Sequence, residues 1–409
     1  MSKLIQLIYS SAARHAMSPR EIKALLTQAR QTKAKAGIRG MLLYINGSFF
    51  QVLEGEEKAV DALFSTISKD SRHTNITTII HEPIAKRAFT DWSMGYTDLS
   101  EDDADAILGI NDFFGRGDSF NTLTQGRAKK LLLAFKEGRW RSRLSDATHQ
   151  EAYEPTAPYT PPASGAISAR LPEDACPYTF AFQPIVNVTT AEVFSYEALI
   201  RGHHHESAPE VLSKINAARK NEIDQQCRIQ AIKLAASLGL STHLNLNLLP
   251  KSIETLPSSI RTVLETIKAC GLLPEQIIIE VLEHEFISDP DHFRTVVNEY
   301  RSSGLLFAID DFGSGYAGLN LLADFQPDFI KLDMQLVHQI DRKGPRQAII
   351  CGIVRTCFDL GIEIIAEGVE TREEYDWLRG EGIGLFQGFL FSAPAFEALP
   401  NPQPLLPRN

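Results

Sequence analysis

Leu305-Leu306-Phe307-Ala308-Ile309-Asp310-Asp311 is a run of apolar residues closed by two carboxylates. A run this short and this apolar reads as a strand buried in a parallel sheet rather than as a helix. The design recurs outward on both sides, between Phe180 and Phe389. Val193–Ile200 carries Glu197 with Arg201 after it, His243–Leu248 carries Asn245 and Asn247, and Ile277–Leu282 carries Glu280 with Glu283 next. Phe329–Leu332 holds Lys331 before Asp333, Ile362–Ala366 ends at Glu367, Leu385–Leu390 contains Gln387, and Tyr178–Val186 contains Gln183. Helical patterns over Ala208–Leu238, Ser258–Cys270, Pro290–Ser303 and Arg346–Leu360 separate the runs. Strand and helix thus alternate as βα units, and the expected fold is a TIM-like (β/α)8 barrel whose polar strand ends converge on one site.

The residue types specify the chemistry of that site. Glu197, Glu280, Asp310 and the neutral donor Asn247 form a hard, all-oxygen shell suited to Mg²⁺ or Mn²⁺. Adjacent Asp310 and Asp311 can bridge two ions roughly 4 Å apart, with Glu367 completing the shell of the second ion and Lys331 near the attacking water. Taken one at a time, each acid reads as a helix cap and Asp-Asp-Phe-Gly-Ser-Gly as a strand exit. Their joint occurrence on most of the strands selects the site. His203-His204-His205, despite its metal-tract look, reads as a solvated loop.

Read in order, the motifs Phe182-Gln183-Pro184-Ile185, Glu197-Ala198-Leu199-Ile200-Arg201, Asn247-Leu248, Glu280-Val281-Leu282-Glu283, Asp310 to Tyr316, Lys331-Leu332-Asp333, Glu367-Gly368-Val369-Glu370 and Gln387-Gly388 resemble the EAL-type cyclic diguanylate phosphodiesterases. The match runs from about Tyr178 to Ala395. The resemblance implies that Glu197, Asn247, Glu280 and Asp310 hold one metal, and that Asp310, Asp311 and Glu367 hold the other. It implies Lys331 and Gln387 at the catalytic water, Gln183, Leu199, Arg201 and Asp333 on the dinucleotide, Glu283 as anchor of the Asp-Phe-Gly loop, and Glu370 supporting the site from behind. Leu282 stands where relatives usually have Thr, and Leu249 where they have Ser; neither position is expected to touch metal.

The amino-terminal part follows another rhythm. Lys3–Ser10 reads as a strand, Ser18–Thr32 as an amphipathic helix, and Gly40–Ile45 and Ser48–Leu53 as a hairpin around Asn46-Gly47. Helix Lys58–Ser68 and strand Thr74–Glu82 complete a βαββαβ, ferredoxin-like α/β sandwich. Leu7 to Ala12, Leu42 to Gly47, Phe50 to Gly55, Asp70-Ser71-Arg72-His73 and Trp92-Ser93-Met94-Gly95 resemble BLUF photoreceptor domains, which bind FAD and sense blue light. That resemblance implies Tyr9 and Gln51 as the hydrogen-bonding pair that reports excitation, with Trp92 or Met94 near the flavin ring. Asn is usual where Lys33 or Thr32 stands; Arg30 remains for the flavin or its phosphates, with His73 or Arg72 beside them.

Residues 1–97 are therefore expected to be a flavin sensor, 98–177 a connector and 178–409 the barrel. The connector is acidic at Glu101, Asp102, Asp103 and Asp105 and basic from Arg127 to Arg143, then turns Pro-, Ala- and Ser-rich from Glu154 to Pro177. An extended linker placed after helices suggests signalling through docked surfaces rather than one continuous rod. With 44% hydrophobic and 22% charged residues the composition is that of an ordinary globular protein. The net charge of −10 argues against nucleic-acid polymers as partners. Five scattered cysteines fit a reducing compartment, and no apolar stretch approaches the ~20 residues of a membrane span. The expectation is a cytoplasmic, light-regulated phosphodiesterase, and the resemblance implies a homodimer paired beside Asp310–Tyr316. The rival readings are a light-sensing receptor that binds the dinucleotide without cleaving it, or works through a partner, and a barrel enzyme for another phosphodiester.

Overall fold

In the computed structural model, which describes residues 3–14, 17, 21, 25, 36–45, 47–89, 92–96, 128, 131, 132, 135, 178–216, 219–250, 259–283, 290–314 and 318–402, the strands form two separate sheets. The first holds β1 (Leu4–Ala13), β2 (Arg39–Ile45), β3 (Ser48–Glu56), β4 (His73–Pro83) and β5 (Trp92–Tyr96) in the order β4-β1-β3-β2-β5. Strands β1 to β4 lie where the sequence predicts them, and β4-β1-β3-β2 is the order of a βαββαβ sandwich. The fifth strand was not predicted; it joins parallel to β2 at the sheet edge. Helix α1 (Glu57–Ser68) lies within a residue of the predicted helix. The predicted helix Ser18–Thr32, apart from Glu21 and Leu25, falls outside the described residues, as do Arg30, Thr32 and Lys33.

β1 is buried on both faces because each face has its own cover. Ile5, Leu7, Tyr9 and Leu53 pack with Val60 of α1 on one side. Ile8, Phe50, Val52 and Ile80 pack on the other with Ala128, Leu131, Leu132 and Phe135. Those four residues show the helical i, i+3, i+4, i+7 spacing; the remainder of 98–177 lies outside the described residues.

The second sheet closes on itself. β6 (Tyr178–Asn187), β7 (Glu192–Gly202), β8 (His243–Asn247), β9 (Ile277–Leu282), β10 (Leu306–Phe312), β11 (Phe329–Leu332), β12 (Glu363–Ala366) and β13 (Leu385–Phe386) pair in sequence, and β13 returns to β6. A short β14 (Ala395–Phe396) adds to the other part of β6. Helices α2 (Ala208–Ser213), α3 (Lys220–Ser237), α4 (Ser259–Ala269), α5 (Pro290–Ser302), α6 (Gly318–Phe325), α7 (Met334–Val337), α8 (Gly344–Leu360) and α9 (Arg372–Gly380) join the strands. The barrel is not uniformly parallel, as its reading had it: β6 runs antiparallel to both β7 and β13. The turn between β6 and β7 is too short for a crossover helix, so the two strands can only form a hairpin. The single helical pattern Ala208–Leu238 is also two helices, α2 and α3.

Alternation along the strands places the site. Ile277, Ile279 and Val281 face the surrounding helices, whereas Ile278 meets Ile185, Ala308, Phe329, Ile365 and Leu385 inside the barrel. Two residues further toward the carboxyl ends, on the same face, stand Glu280, Asp310, Lys331, Glu367 and Gln387. On antiparallel β6 the equivalent step runs backward, from Ile185 to Gln183. One layer of apolar side chains thus floors one layer of polar ones.

In the first sheet Glu54 is fully buried; its carboxylate accepts from Gln6 Nε2 at 2.7 Å and from the N–H groups of Ala88 and Phe89 at 2.9 and 3.1 Å. It ties β3 to the segment that leaves β4. Glu54→Ala strands these buried donors and is expected to lower the unfolding free energy by about 3 kcal/mol in urea titration of the full chain.

Candidate active site and cofactor pocket

Lys331 Nζ, at 1% exposure, lies 3.2 Å from Glu197 Oε2, 2.9 Å from Glu280 Oε1, 3.1 Å from Asp310 Oδ1 and 2.8 Å from Glu367 Oε1. Burial alone would lower the pKa of this ammonium, but the surrounding carboxylates outweigh burial and hold it well above the usual lysine value. The acids respond in the opposite sense. Burial raises Glu280 to about 8, with Lys331 pulling it down, and lifts Glu367 well above the carboxylate range. Asp311 rises through burial and repulsion from Asp310 and Asp333.

The carboxylates fall into two groups that share one member. One oxygen each from Glu197, Glu280 and Asp310 lie within 4.8 Å of one another, and so do one each from Asp310, Asp311 and Glu367. Asp311 reaches its place from a left-handed backbone conformation, φ +53°, immediately after Asp310. Divalent cations fit these donors: all are oxygens, and Glu280 Oε2 is buried without a hydrogen-bond partner among the described residues while Lys331 and Asn245 occupy its other oxygen.

The remaining site residues separate by what they touch. Gln387 Nε2 donates to Glu197 Oε2 at 2.7 Å and to Gln183 Oε1 at 3.1 Å, linking β13, β7 and β6. Gly388 permits this closure, since at φ +156° a Cβ would lie 2.1 Å from the Val369 carbonyl oxygen. The Glu283 carboxylate accepts the Gly313 N–H at 2.8 Å and thereby holds the loop after Asp311. Asn247 stands opposite Glu280 in the β8–β9 register and is exposed. Leu199 and Arg201 are partly buried, with Arg201 Nη1 donating to the Ile200 carbonyl at 2.8 Å. Asp333 caps α7 by accepting the Gln335 N–H at 2.6 Å. Glu370 is exposed, and its N–H donates to Glu374.

Two supporting residues, Asn245, noted on its strand, and Glu374, received no role in the sequence reading. Asn245 Nδ2 donates to Glu280 Oε1 at 2.7 Å; its period-2 offset from Asn247 placed it in the barrel interior, but no motif marks it. Buried Glu374 accepts from Gln339, Glu370 and Thr371 N–H groups and so fixes the loop after Glu367. The capping box Thr371-x-x-Glu374 was the available signal.

In the first sheet the register aligns Tyr9 with Gln51, Gln51 with Leu42 and Leu42 with Met94 in one row. Tyr9 Oη donates to Gln51 Oε1 in a short hydrogen bond. Burial, with Asp70 adding repulsion, raises the phenol pKa, so Tyr9 stays protonated and remains a donor. Gln51 Nε2 is buried with no hydrogen-bond partner among the described residues. An orphan amide donor beside a buried phenol fits a ligand bearing acceptor atoms, such as the edge of a flavin ring. His73 Nδ1 lies 2.9 Å from Ser11 Oγ, and Arg72 pairs with Asp70. The side chains of Trp92 and Met94 lie outside the described residues, although their strand does not.

Comparison with known proteins agrees with this division. The EAL domain model matches residues 170–394, and the model for sensors of blue-light using FAD matches residues 4–95. The blue light- and temperature-regulated antirepressor BluF of Escherichia coli (strain K12) is 32% identical over 405 residues, 97% of this chain and 98% of that protein. Klebsiella pneumoniae BlrP1, solved at pH 8.0 as a calcium and cyclic di-GMP complex, is 36% identical with a TM-score of 0.54 over 97% of this chain and 98% of its own. A standalone EAL protein from Vibrio cholerae O395 in its c-di-GMP-bound form is 46% identical, with a TM-score of 0.54 over 56% of this chain and 96% of its own.

The electrostatics of Lys331 can be tested without substrate. Lys331→Met leaves the buried carboxylates without a cation and is expected to destabilise the metal-free protein by about 3–5 kcal/mol. The folded-state pKa of Glu280 is raised from 4.5 to about 8, so its ionisation costs stability as pH rises through that window. Because Lys331 pulls that pKa down, the variant keeps Glu280 protonated where the parent has ionised it, so the deficit should widen as pH rises through and above about 8 and shrink on addition of Mn²⁺, as read by thermal unfolding with and without chelator.

Proposed function

The chain belongs to the EAL family and carries a BLUF domain ahead of the barrel, and on that premise we propose that it is a blue-light-regulated phosphodiesterase that opens cyclic diguanylate to linear pGpG. The observation that carries this reading is the pair of acidic clusters sharing Asp310 around buried Lys331. In it, residues 1–97 are the sensor, 98–177 the connector and 178–409 the hydrolase.

Two divalent ions, Mg²⁺ or Mn²⁺, would supply an activated water and offset negative charge as the phosphodiester bond breaks. Glu197, Asn247, Glu280 and Asp310 would hold one, and Asp310, Asp311 and Glu367 the other. Lys331 and Gln387 orient the attacking water, Lys331 by placing positive charge beside the scissile phosphate and Gln387 by offering its Oε1, which has no hydrogen-bond partner among the described residues, as an acceptor. Glu283 keeps the Asp310–Gly313 strand end in place. Arg201 offers a phosphate-matching fork, and Gln183, Leu199 and Asp333 line the approach for the dinucleotide. In the sensor, Tyr9 and Gln51 would hold the FAD ring edge, Trp92 or Met94 would stand near the ring, and Arg30, Arg72 and His73 would serve the rest of the cofactor. A homodimer paired beside Asp310–Tyr316 belongs to the same reading; Leu319, at the start of α6, is 54% exposed there.

The Escherichia coli relative is named an antirepressor, which favours a second reading as a sensor that binds the dinucleotide without cleaving it. Retention of every carboxylate and of Lys331 supports cleavage instead.

The deciding experiment is cyclic diguanylate hydrolysis by the purified flavoprotein with Mg²⁺ or Mn²⁺, in darkness and under blue light. Light-dependent formation of the linear dinucleotide is expected, and binding without turnover favours the second reading. Asp311→Asn should reduce turnover at least about 100-fold while leaving the flavin spectrum unchanged. Gln51→Leu should keep dark turnover within about twofold and abolish the response to light; retained photoactivation would exclude the Tyr9–Gln51 switch.

A further inference from the structure

The sensor rests on the barrel, and its points of contact follow a pattern. Lys86, just beyond β4, pairs with Glu275 at 2.6 Å. Glu82 of β4 pairs with Arg301 at the end of α5 at 3.3 Å. The Ile79 carbonyl, also in β4, accepts from Gln326 Nε2 at 2.7 Å. Arg301 completes the set by donating from Nη2 to the Gln326 carbonyl at 2.5 Å. Gly304 tightens the seat, because a Cβ there would lie 3.3 Å from that of Ala85 and 3.4 Å from that of Pro274.

The barrel partners stand at the entrances to three strands of the metal site. Glu275 lies in the 3-10 turn Pro274–Gln276 that enters β9, the strand of Glu280. Arg301 and Gly304 precede β10, the strand of Asp310 and Asp311. Gln326 follows α6 and precedes β11, the strand of Lys331. Asp328, two residues after Gln326, accepts the Phe307 N–H and donates its own N–H to the Phe307 carbonyl, each at 2.9 Å, so the bases of β10 and β11 move as one.

On the sensor side, the contact starts at an irregularity. β1 and β4 pair Ile8 with Ile80 and then Tyr9 with Thr78, so Ile79 is an extra residue in β4 directly beside Tyr9. A bulge of this kind leaves a backbone group without its ladder partner and can be redrawn without unzipping the strands. The carbonyl offered to Gln326 belongs to that extra residue. Lys86–Glu275 is largely exposed and contributes little, whereas Arg301 and Glu82 are 9% and 14% exposed.

We propose that the Ile79 bulge and Glu82 form the output surface of the sensor, and that they control the metal site from below through Gln326 and Arg301 by shifting the bases of β10 and β11. The proposal rests on the flavin reading of Tyr9 and Gln51: a change in their hydrogen bond alters β1 beside the bulge, and the altered bulge changes the hold of its carbonyl on Gln326. Asp310, Asp311 and Lys331 then shift relative to Glu280 and Glu197, and the two states of the bulge become two states of the site.

The test uses the full-length flavoprotein and two variants that approach the contact from opposite sides, Gln326→Leu and Glu82→Gln. Both should keep the light-induced change in the flavin spectrum and dark hydrolysis within about twofold of the parent. Their light-to-dark hydrolysis ratio should move about threefold or more toward one. Amide hydrogen exchange across Phe307–Phe312 should respond to illumination in the parent and not in the variants. A parent that responds to light, with variants that respond equally in hydrolysis and exchange, overturns the proposal and leaves the photosensor reading intact. A parent with a normal flavin spectral change but no light effect in either readout overturns that reading and the proposal with it.

Discussion

The structure is organised around a charge imbalance buried at the mouth of a barrel. Lys331 neutralises one of the carboxylates of Glu197, Glu280, Asp310, Asp311 and Glu367 and leaves an excess of four negative charges that two divalent ions would cancel. Without ions the imbalance favours protonation, which burial promotes by raising the pKa values of Glu280, Glu367 and Asp311. No isolated strand or helix could hold such a cluster, since a single buried carboxylate without a partner costs several kcal/mol. The barrel holds it because its members are spread over the ends of different strands, only Asp310 and Asp311 sharing one, and because its floor, Ile185, Ile278, Ala308, Phe329, Ile365 and Leu385, is apolar and closely packed.

This dependence explains why the site was so legible. A strand that must bury one residue on the floor and expose the polar one two positions later writes that spacing into its sequence: Ile278 then Glu280, Ala308 then Asp310, Phe329 then Lys331, Ile365 then Glu367. Strand direction was legible only indirectly. β6 is buried along nearly all its length and reads the same forward or backward, so it passed as another parallel strand. The short link between Val186 and Val193 was the evidence against that, because a crossover needs at least ten residues.

Other features left weaker traces. Asn245 supports Glu280 through a contact between neighbouring strands, and a carboxamide in an apolar run signals only that some partner exists. Asp333 illustrates the converse, a residue whose motif implies a ligand contact and whose side chain caps a helix, two roles that its two oxygens allow at once. In the sensor, alternation and the Asn-Gly turn made the strands clear. The fifth strand has no alternating pattern of its own and depends on the open edge of β2. The contact between sensor and barrel was not legible at all, because Glu82, Arg301 and Gln326 are ordinary surface residue types until the two surfaces meet.

That contact also bears on why control enters from beneath. On the hydrolase reading the upper rim must stay open to a charged dinucleotide and its ions, and a sensor seated there would compete with substrate. The strand bases carry no chemistry, yet the strands are short: Lys331 is five residues from Gln326, and Asp310 is nine from Arg301. A small tilt at the base therefore reaches the carboxylates with little loss. Because Lys331 lies within 3.2 Å of four acids on four other strands, a displacement of β10 and β11 relative to β7, β9 and β12 changes several of those distances together. The electrostatic tightness that makes the site costly to build is also what makes it responsive to a modest push.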